Sequence, residues 1–111
     1  MTDKLIILTS VDKEEMADRI ANALVERQQA ACVNVLPLGL SIYRWKEKIH
    51  RDREYLLIIK TSAHLFQEVR DTIRELHTYE LPEVIGLPIA VGDEKVLDWI
   101  TSSVKPRAPL S

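Results

Sequence analysis

The sequence contains only one cysteine, Cys32, so a single chain cannot form a disulfide and nothing indicates an oxidising compartment. It also lacks an excess of either charge, with a formal net charge of -2. This balance argues against a broad basic face for nucleic acid or an anionic membrane. Long apolar runs are missing near the start as well: Leu5–Leu8 is too short for a signal peptide or a membrane span. We therefore expect a cytoplasmic protein.

Familiar catalytic and cofactor motifs are also absent from the sequence. It has no GxGxxG, P-loop or HExxH pattern, no CxxC pair and no GxSxG elbow. We expect no enzyme activity and no required cofactor. The one catalytic alternative is a nucleophilic Cys32–His77 pair, which requires hydrogen-bond contact between the two side chains.

What is present indicates one globular domain over residues 1–111, with 46% apolar and 29% charged residues. Apolar periodicity predicts a strand, a helix, two long extended segments, a helix, a strand and a short helix. These cover, in order, residues 5–9, 12–29, 31–45, 49–61, 62–76, 84–90 and 93–100. The order predicts an α+β, ferredoxin-like βαββαβ sandwich with a short C-terminal helix and a long protruding hairpin between the second and third strands. Asp12 or Ser10 is the expected N-cap of the first helix and Asp93 that of the last, and the tail from about Lys105 is expected to be loose.

Two features of the strands predict a homo-oligomer. Leu5–Leu8 and Tyr55–Ile59 are apolar at every position, which indicates two buried sheet faces, although right-handed crossovers place both main helices on one face. Residues 31–45 would span roughly 50 Å if extended, so their hairpin must bend or project. Tyr43 and Trp45 on one face of a projecting hairpin are typical of a protein interface.

Residues 77–83 hold the densest group of chemically active side chains, between the second helix and the last strand. His77 could bind metal through a ring nitrogen, or it could simply end a helix, where the dipole favours histidine. Cys32 could bind soft metal as a thiolate or pack as a small apolar residue. Tyr79, Glu80 and Glu83 supply oxygen atoms for a ligand or for solvent. Lys60 ends an apolar strand, and we expect it to pair with Glu80 or Glu83, or to meet an anionic ligand.

Five segments resemble the CutA, or divalent-ion tolerance, family in order and register. They are Ala30–Asn34, Ser41–Trp45, Ile59–Thr61, residues 77–83 followed by Leu87 and Pro88, and Trp99. The resemblance covers about Leu5 to Ile100. It implies a ferredoxin-like homotrimer with sheet contacts between subunits, a link to tolerance of copper and other divalent metals, and copper binding in some members. It does not supply an enzyme mechanism.

The chain departs from the family pattern at four positions. Thr78 stands where proline is usual, so we expect a freer loop, and Glu47 stands where the hairpin turn often has glycine, so we expect another turn type. Thr9 and Leu76 replace a cysteine and a histidine that some members carry. A metal site borrowed from those members is therefore depleted, with His77 its one remaining ligand.

The leading prediction is a cytoplasmic CutA-like homotrimer with weak copper or other divalent metal binding. Its candidate site is a cleft between subunits that contains His77, Tyr79 and Glu80, with Cys32 and Lys60 nearby. The predicted subunit interface contains Tyr43, Trp45 and Trp99. Two alternatives remain open: a trimeric small-molecule sensor like the PII signalling proteins, and a structural trimer that presents a surface to a protein partner.

Overall fold

A computed structural model describes residues 1–109 and contains a four-stranded antiparallel sheet with three α-helices. The elements are β1 (Lys4–Val11), α1 (Glu14–Glu26), β2 (Cys32–Trp45), β3 (Lys48–Ser62), α2 (Phe66–Leu76, after a 3-10 turn at Ala63–Leu65), β4 (Ile85–Pro88) and α3 (Glu94–Ser103). The strand order β2-β3-β1-β4 confirms the predicted ferredoxin-like fold. No helix within residues 1–109 combines the length and apolar character needed to cross a membrane.

The core lies between the sheet and the helices α1 and α2. Alternate strand residues such as Ile7, Leu57 and Ile59 are fully buried against it. The helices contribute apolar stripes at helical spacing, and their fully buried members include Ile20, Leu24, Val69 and Ile73. Each such side chain contributes about 1.5–3 kcal/mol by leaving water. This burial fixes the register of the sheet, because a slip of one residue would turn every apolar side chain to the other face.

The opposite side of the sheet, called here the open face, is also apolar. It carries the even-numbered residues of β1 and β3, including half-buried Leu8, Leu56 and Ile58. Towards the two sheet edges, Leu36 and Leu87 on this face are 41% and 46% exposed. Helix α3 contacts β3, but these edge residues stay accessible. The second sheet face is thus apolar, as its sequence indicated, but it is only half-buried in one chain, so its predicted burial stays a prediction.

The β2–β3 hairpin projects from the body of the domain, as predicted. The longest dimension is 45 Å and the radius of gyration is 14.7 Å, against about 13 Å for a compact chain of this length. Its two turn residues, Lys46 and Glu47, have φ of 51° and 67°. Positive φ at both positions is what a type I′ hairpin turn requires. The expected change of turn type at Glu47 is therefore wrong: the turn keeps positive φ although it has no glycine.

Helix ends are predicted less well than helix positions. Asp93 caps α3 as expected, accepting a hydrogen bond from the Lys95 backbone N–H at 2.9 Å. Helix α1 instead has Lys13 as its N-cap, with no side-chain hydrogen bond, so the assignment to Asp12 or Ser10 is wrong. At the C-terminal end, the Lys105 backbone N–H donates to the Gln28 carbonyl at 2.8 Å. Residues 106–109 form no helix or strand, and the last two residues of the predicted loose tail lie outside the described range.

Candidate functional site

A β-bulge in β2 decides which side chains form the candidate site. The β2–β3 pairing shifts between Pro37 and Gly39, so Leu38 is an extra residue without a partner. Before the bulge the even-numbered residues of β2 point to the open face, and after it the odd-numbered residues do. Tyr43 pairs with His50 and Trp45 with Lys48. The bulge therefore places Tyr43 and Trp45 on the open face.

The open face of the hairpin and the loop of residues 77–84 enclose a cleft of about 640 Å³. This is within the size range of small-molecule sites in proteins. Its walls combine aromatic rings, carboxylates and apolar side chains. The lining residues are Ser10, Leu38, Ser41, Tyr43, Trp45, Glu54, Tyr79, Glu80, Leu81, Pro82, Glu83, Val84 and Ile85.

His77 forms the base of the loop, where it is the C-cap of α2 and is 9% exposed. Its Nδ1 accepts a hydrogen bond from the Tyr79 backbone N–H at 3.1 Å. Its Nε2 lies 2.8 Å from the Ser10 carbonyl oxygen and must therefore carry the proton and donate. Both ring nitrogens of the neutral imidazole are thus in use. Metal binding at His77 would have to break one of these bonds.

Tyr79 joins the loop to the sheet. Its hydroxyl donates to Glu54 Oε2 at 2.6 Å, and Glu54 is only 6% exposed. Burial, followed by the hydrogen bond to Glu54, raises the pKa of the Tyr79 phenol. Tyr79 is therefore held at two points, by its backbone N–H on His77 and by its hydroxyl on Glu54. These bonds fix the loop directly after the exposed Thr78.

Glu54 was not identified as a site residue from the sequence. One signal could have found it: Glu54 continues the even-numbered series of Leu56 and Ile58 on the open face. A carboxylate at such a position needs a partner or a functional reason. Only the fold reveals that the partner is Tyr79, 25 residues further along the chain.

A second tyrosine lies near the hairpin end of the cleft. The Tyr43 hydroxyl hydrogen-bonds to Asp52, and the Tyr43 ring stacks on His50 with centroids 5.3 Å apart. The bond to Asp52, with a smaller effect of burial, raises the pKa of Tyr43 to about 12. Since Tyr43 is 38% exposed and Asp52 is only partly buried, water competes for this hydrogen bond.

The only ion pair across the cleft within residues 1–109 joins the hairpin turn to the loop. Lys46 Nζ lies 3.2 Å from Glu80 Oε2, and the same ammonium is 5.8 Å from the centroid of the Trp45 ring. Both ionic side chains are about 70% exposed, so the pair contributes little to stability. Glu80 thus pairs with Lys46, and the expected pairing with Lys60 is wrong within one chain.

Cys32 and Lys60 lie away from the cleft in a single chain. They pair with each other in the β2–β3 ladder, whereas Ser10, the partner of His77, lies opposite Leu56. Four residues along a strand correspond to about 13 Å. One chain therefore does not form a Cys32–His77 pair. No group of three metal-ligating side chains comes together within residues 1–109.

The remaining candidates lie outside the cleft. Trp99 is 46% exposed on α3. Its predicted role at a subunit interface, like those of Tyr43 and Trp45, remains a prediction. Of the two other histidines, His64 is exposed and lies 2.9 Å from the Lys105 carbonyl oxygen, while His50 is half-buried beside Tyr43.

Comparison with known proteins places this arrangement in a family. Residues 5–103 match the model of the "CutA1 divalent ion tolerance protein" family. A relative from Thermus thermophilus, named a divalent-cation tolerance protein CutA, is 45% identical over 95 residues, which are 86% of this chain and 92% of the relative. A CutA crystal structure from Xylella fastidiosa superposes with a TM-score of 0.90 at 35% identity, covering 94% of this chain and all of that one.

A structure titled "periplasmic divalent cation tolerance protein CutA", from Archaeoglobus fulgidus, has a TM-score of 0.89 at 37% identity. It covers 92% of this chain and 99% of its own. The family match over residues 5–103 spans the hairpin, the 77–84 loop and α3, so it includes every wall of the cleft. The chain belongs to the CutA1 divalent ion tolerance family.

Proposed function

We propose that this protein acts in tolerance of divalent cations, as a cytoplasmic homotrimer that holds copper or another divalent metal weakly and catalyses no reaction. The observation that carries the proposal is the cleft of a CutA family member lined by three carboxylates, Glu54, Glu80 and Glu83. Carboxylates concentrate divalent cations near a surface even without a rigid site. Weak, reversible metal binding is compatible with a role in tolerance of divalent cations.

The hairpin supports a homotrimer because large apolar side chains on its face away from the cleft are exposed. Tyr43 and Trp45 lie on the open face. On the other face Leu40, Ile42 and Ile49 are 48%, 59% and 66% exposed. Three large aliphatic side chains on a projecting hairpin favour burial against another subunit. A mass of three chains by light scattering is the expected result, and a monomeric mass at micromolar concentration would contradict it.

The predicted metal ligands His77, Glu80 and Cys32 do not fit one metal ion within a single chain, because Cys32 lies about 13 Å along the sheet from the His77 end of the cleft. We propose that ligands from different subunits complete the site, with Cys32 of one chain near the loop of a neighbour. Metal binding would then require assembly of the subunits, so the proposed metal site depends on the proposed homotrimer.

Calorimetric titration with copper tests the ligands. We expect weaker binding for His77→Ala and for Cys32→Ser than for the unaltered protein. Glu26→Gln is the control, since Glu26 ends α1 away from the cleft. Identical affinity in the His77→Ala protein would remove His77 from the site, and identical affinity in Cys32→Ser would remove Cys32.

A small-molecule sensor is the second candidate, favoured by the size of the cleft and its aromatic walls. Fold similarity to PII-like proteins alone is a weak argument for function. Thermal-shift measurements separate the two functions: nucleotides or other organic anions should raise the melting temperature of a sensor, and metals should not. The carboxylates of the cleft disfavour anions as ligands.

A further inference from the structure

We propose that the cleft is a binding site for an organic cation, with Glu54 as its counter-charge and Tyr43, Trp45 and Tyr79 as its walls. A substituted ammonium group is the ligand class that fits these residues. The site uses the cleft of the proposed function, but it requires neither a metal ion nor any of the residues outside the cleft.

The first reason is the unbalanced charge of Glu54. This carboxylate is 6% exposed and accepts one hydrogen bond, from the neutral Tyr79 hydroxyl. Within residues 1–109 no lysine, arginine or histidine lies within ion-pair distance of it. A buried carboxylate without a cation is costly to maintain. A cationic ligand in the cleft would supply the missing partner.

The second reason is the composition of the walls. Three aromatic side chains, Tyr43, Trp45 and Tyr79, line the same space as Glu54. The faces of aromatic rings attract cations, and they favour weakly hydrated organic ammonium groups, which also gain from apolar contact. Leu38 and Ile85 add apolar surface for the remainder of such a ligand.

The third reason is that the protein already places an ammonium group at the mouth of the cleft. Lys46 Nζ contacts Glu80 and approaches the Trp45 ring from the hairpin turn. Because this contact is exposed, its loss costs little. Lys46 thus acts as an internal competitor that an incoming cation displaces.

Fluorescence titration with choline tests the proposal. In a Trp99→Phe background Trp45 is the only tryptophan, so its emission reports on the cleft. The titration is run with EDTA present to exclude metal effects. The matched control ligand is 3,3-dimethyl-1-butanol, which has the shape of choline without its charge. Glu54→Gln removes the counter-charge, and Glu26→Gln makes the same change in net charge outside the cleft.

We expect choline to saturate the emission change in the millimolar range and the neutral alcohol to give no saturation. Affinity should fall about tenfold in Glu54→Gln, stay unchanged in Glu26→Gln and rise in Lys46→Met. Tyr43→Leu, which alters an exposed wall, should also weaken binding and guards against a folding defect in Glu54→Gln. Equal responses to choline and the alcohol, or equal affinity in Glu54→Gln and Glu26→Gln, would overturn the proposal. Since EDTA is present, this failure would leave the metal function standing.

Discussion

Replacing Tyr79 by phenylalanine should destabilise the protein by about 2 kcal/mol. A hydrogen bond to a charged group contributes about 1.5–3 kcal/mol. The Tyr79 hydroxyl is the one hydrogen-bond donor to Glu54 among the described residues, and Glu54 is 6% exposed, so water cannot easily replace it. Half-burial of Tyr79 itself places the value in the middle of that range. Urea denaturation at one fixed protein concentration measures the change, since the stability of the proposed trimer would depend on concentration.

Tyr43→Phe is the matched control, because it deletes the same hydroxyl from another tyrosine–carboxylate pair. Tyr43 and Asp52 are accessible to water, so this variant should change stability little. In a Glu54→Gln background the effect of Tyr79→Phe should shrink, since the acceptor is then neutral. Equal losses in Tyr79→Phe and Tyr43→Phe would refute the conclusion that burial of Glu54 makes the bond strong.

The same hydrogen bond has a consequence at alkaline pH. The pKa of Tyr79 is raised in the folded state above its ordinary value of 10.0, so the unfolded chain loses its proton first as pH rises. The stabilisation is complete below about pH 10 and is lost as the pH rises towards the folded-state pKa. Tyr79→Phe should therefore lose less stability above pH 10 than the unaltered protein. Parallel curves for the two proteins would contradict this.

Three further substitutions test separate features. Gln28→Gly should stabilise by about 1 kcal/mol in urea denaturation, because Gln28 has φ of 57° at the end of α1; no gain would mean that this backbone is unstrained. Thr9→Val should also stabilise by about 1 kcal/mol, because the buried Thr9 hydroxyl has no hydrogen-bond partner among residues 1–109, and a loss of stability would reveal a missed partner. If the proposed trimer forms, Ile42→Lys should lower the mass measured by light scattering, whereas Val25→Lys on α1, 44% exposed, should not; the same mass in both variants and the unaltered protein would place the interface elsewhere.

The fold was predictable because its determinants are periodic. Apolar residues at helical spacing marked α1 and α2, and the apolar cores of β1 and β3 marked the central strands. Ends were less predictable, since a cap depends on one hydrogen bond: Asp93 makes it and Asp12 does not. The predicted last strand was also longer than β4, which ends at Pro88 on the sheet edge.

The site was predictable as a location but not as a network. Residue types placed His77, Tyr79, Glu80 and Glu83 together because they are neighbours in sequence. The sequence could not reveal that the Ser10 carbonyl oxygen accepts a hydrogen bond from the His77 ring, nor that Glu80 forms an ion pair with Lys46. These partners are brought together by the sheet register and the hairpin turn, which depend on packing over the whole domain.

The bulge at Leu38 links the register of the sheet to the composition of the cleft. If β2 paired with β3 without the extra residue, Tyr43 and Trp45 would point away from the open face, and Leu40 and Ile42 would point towards it. The cleft would lose Tyr43 and Trp45 and keep Tyr79 of the loop, while Glu54, on β3, kept its place. Gly39, with φ of 97°, permits the irregular backbone at this point. One inserted residue therefore determines whether the hairpin adds two aromatic rings or two aliphatic side chains to the cleft beside Glu54 and Tyr79, and with that the class of ligand the cleft can hold.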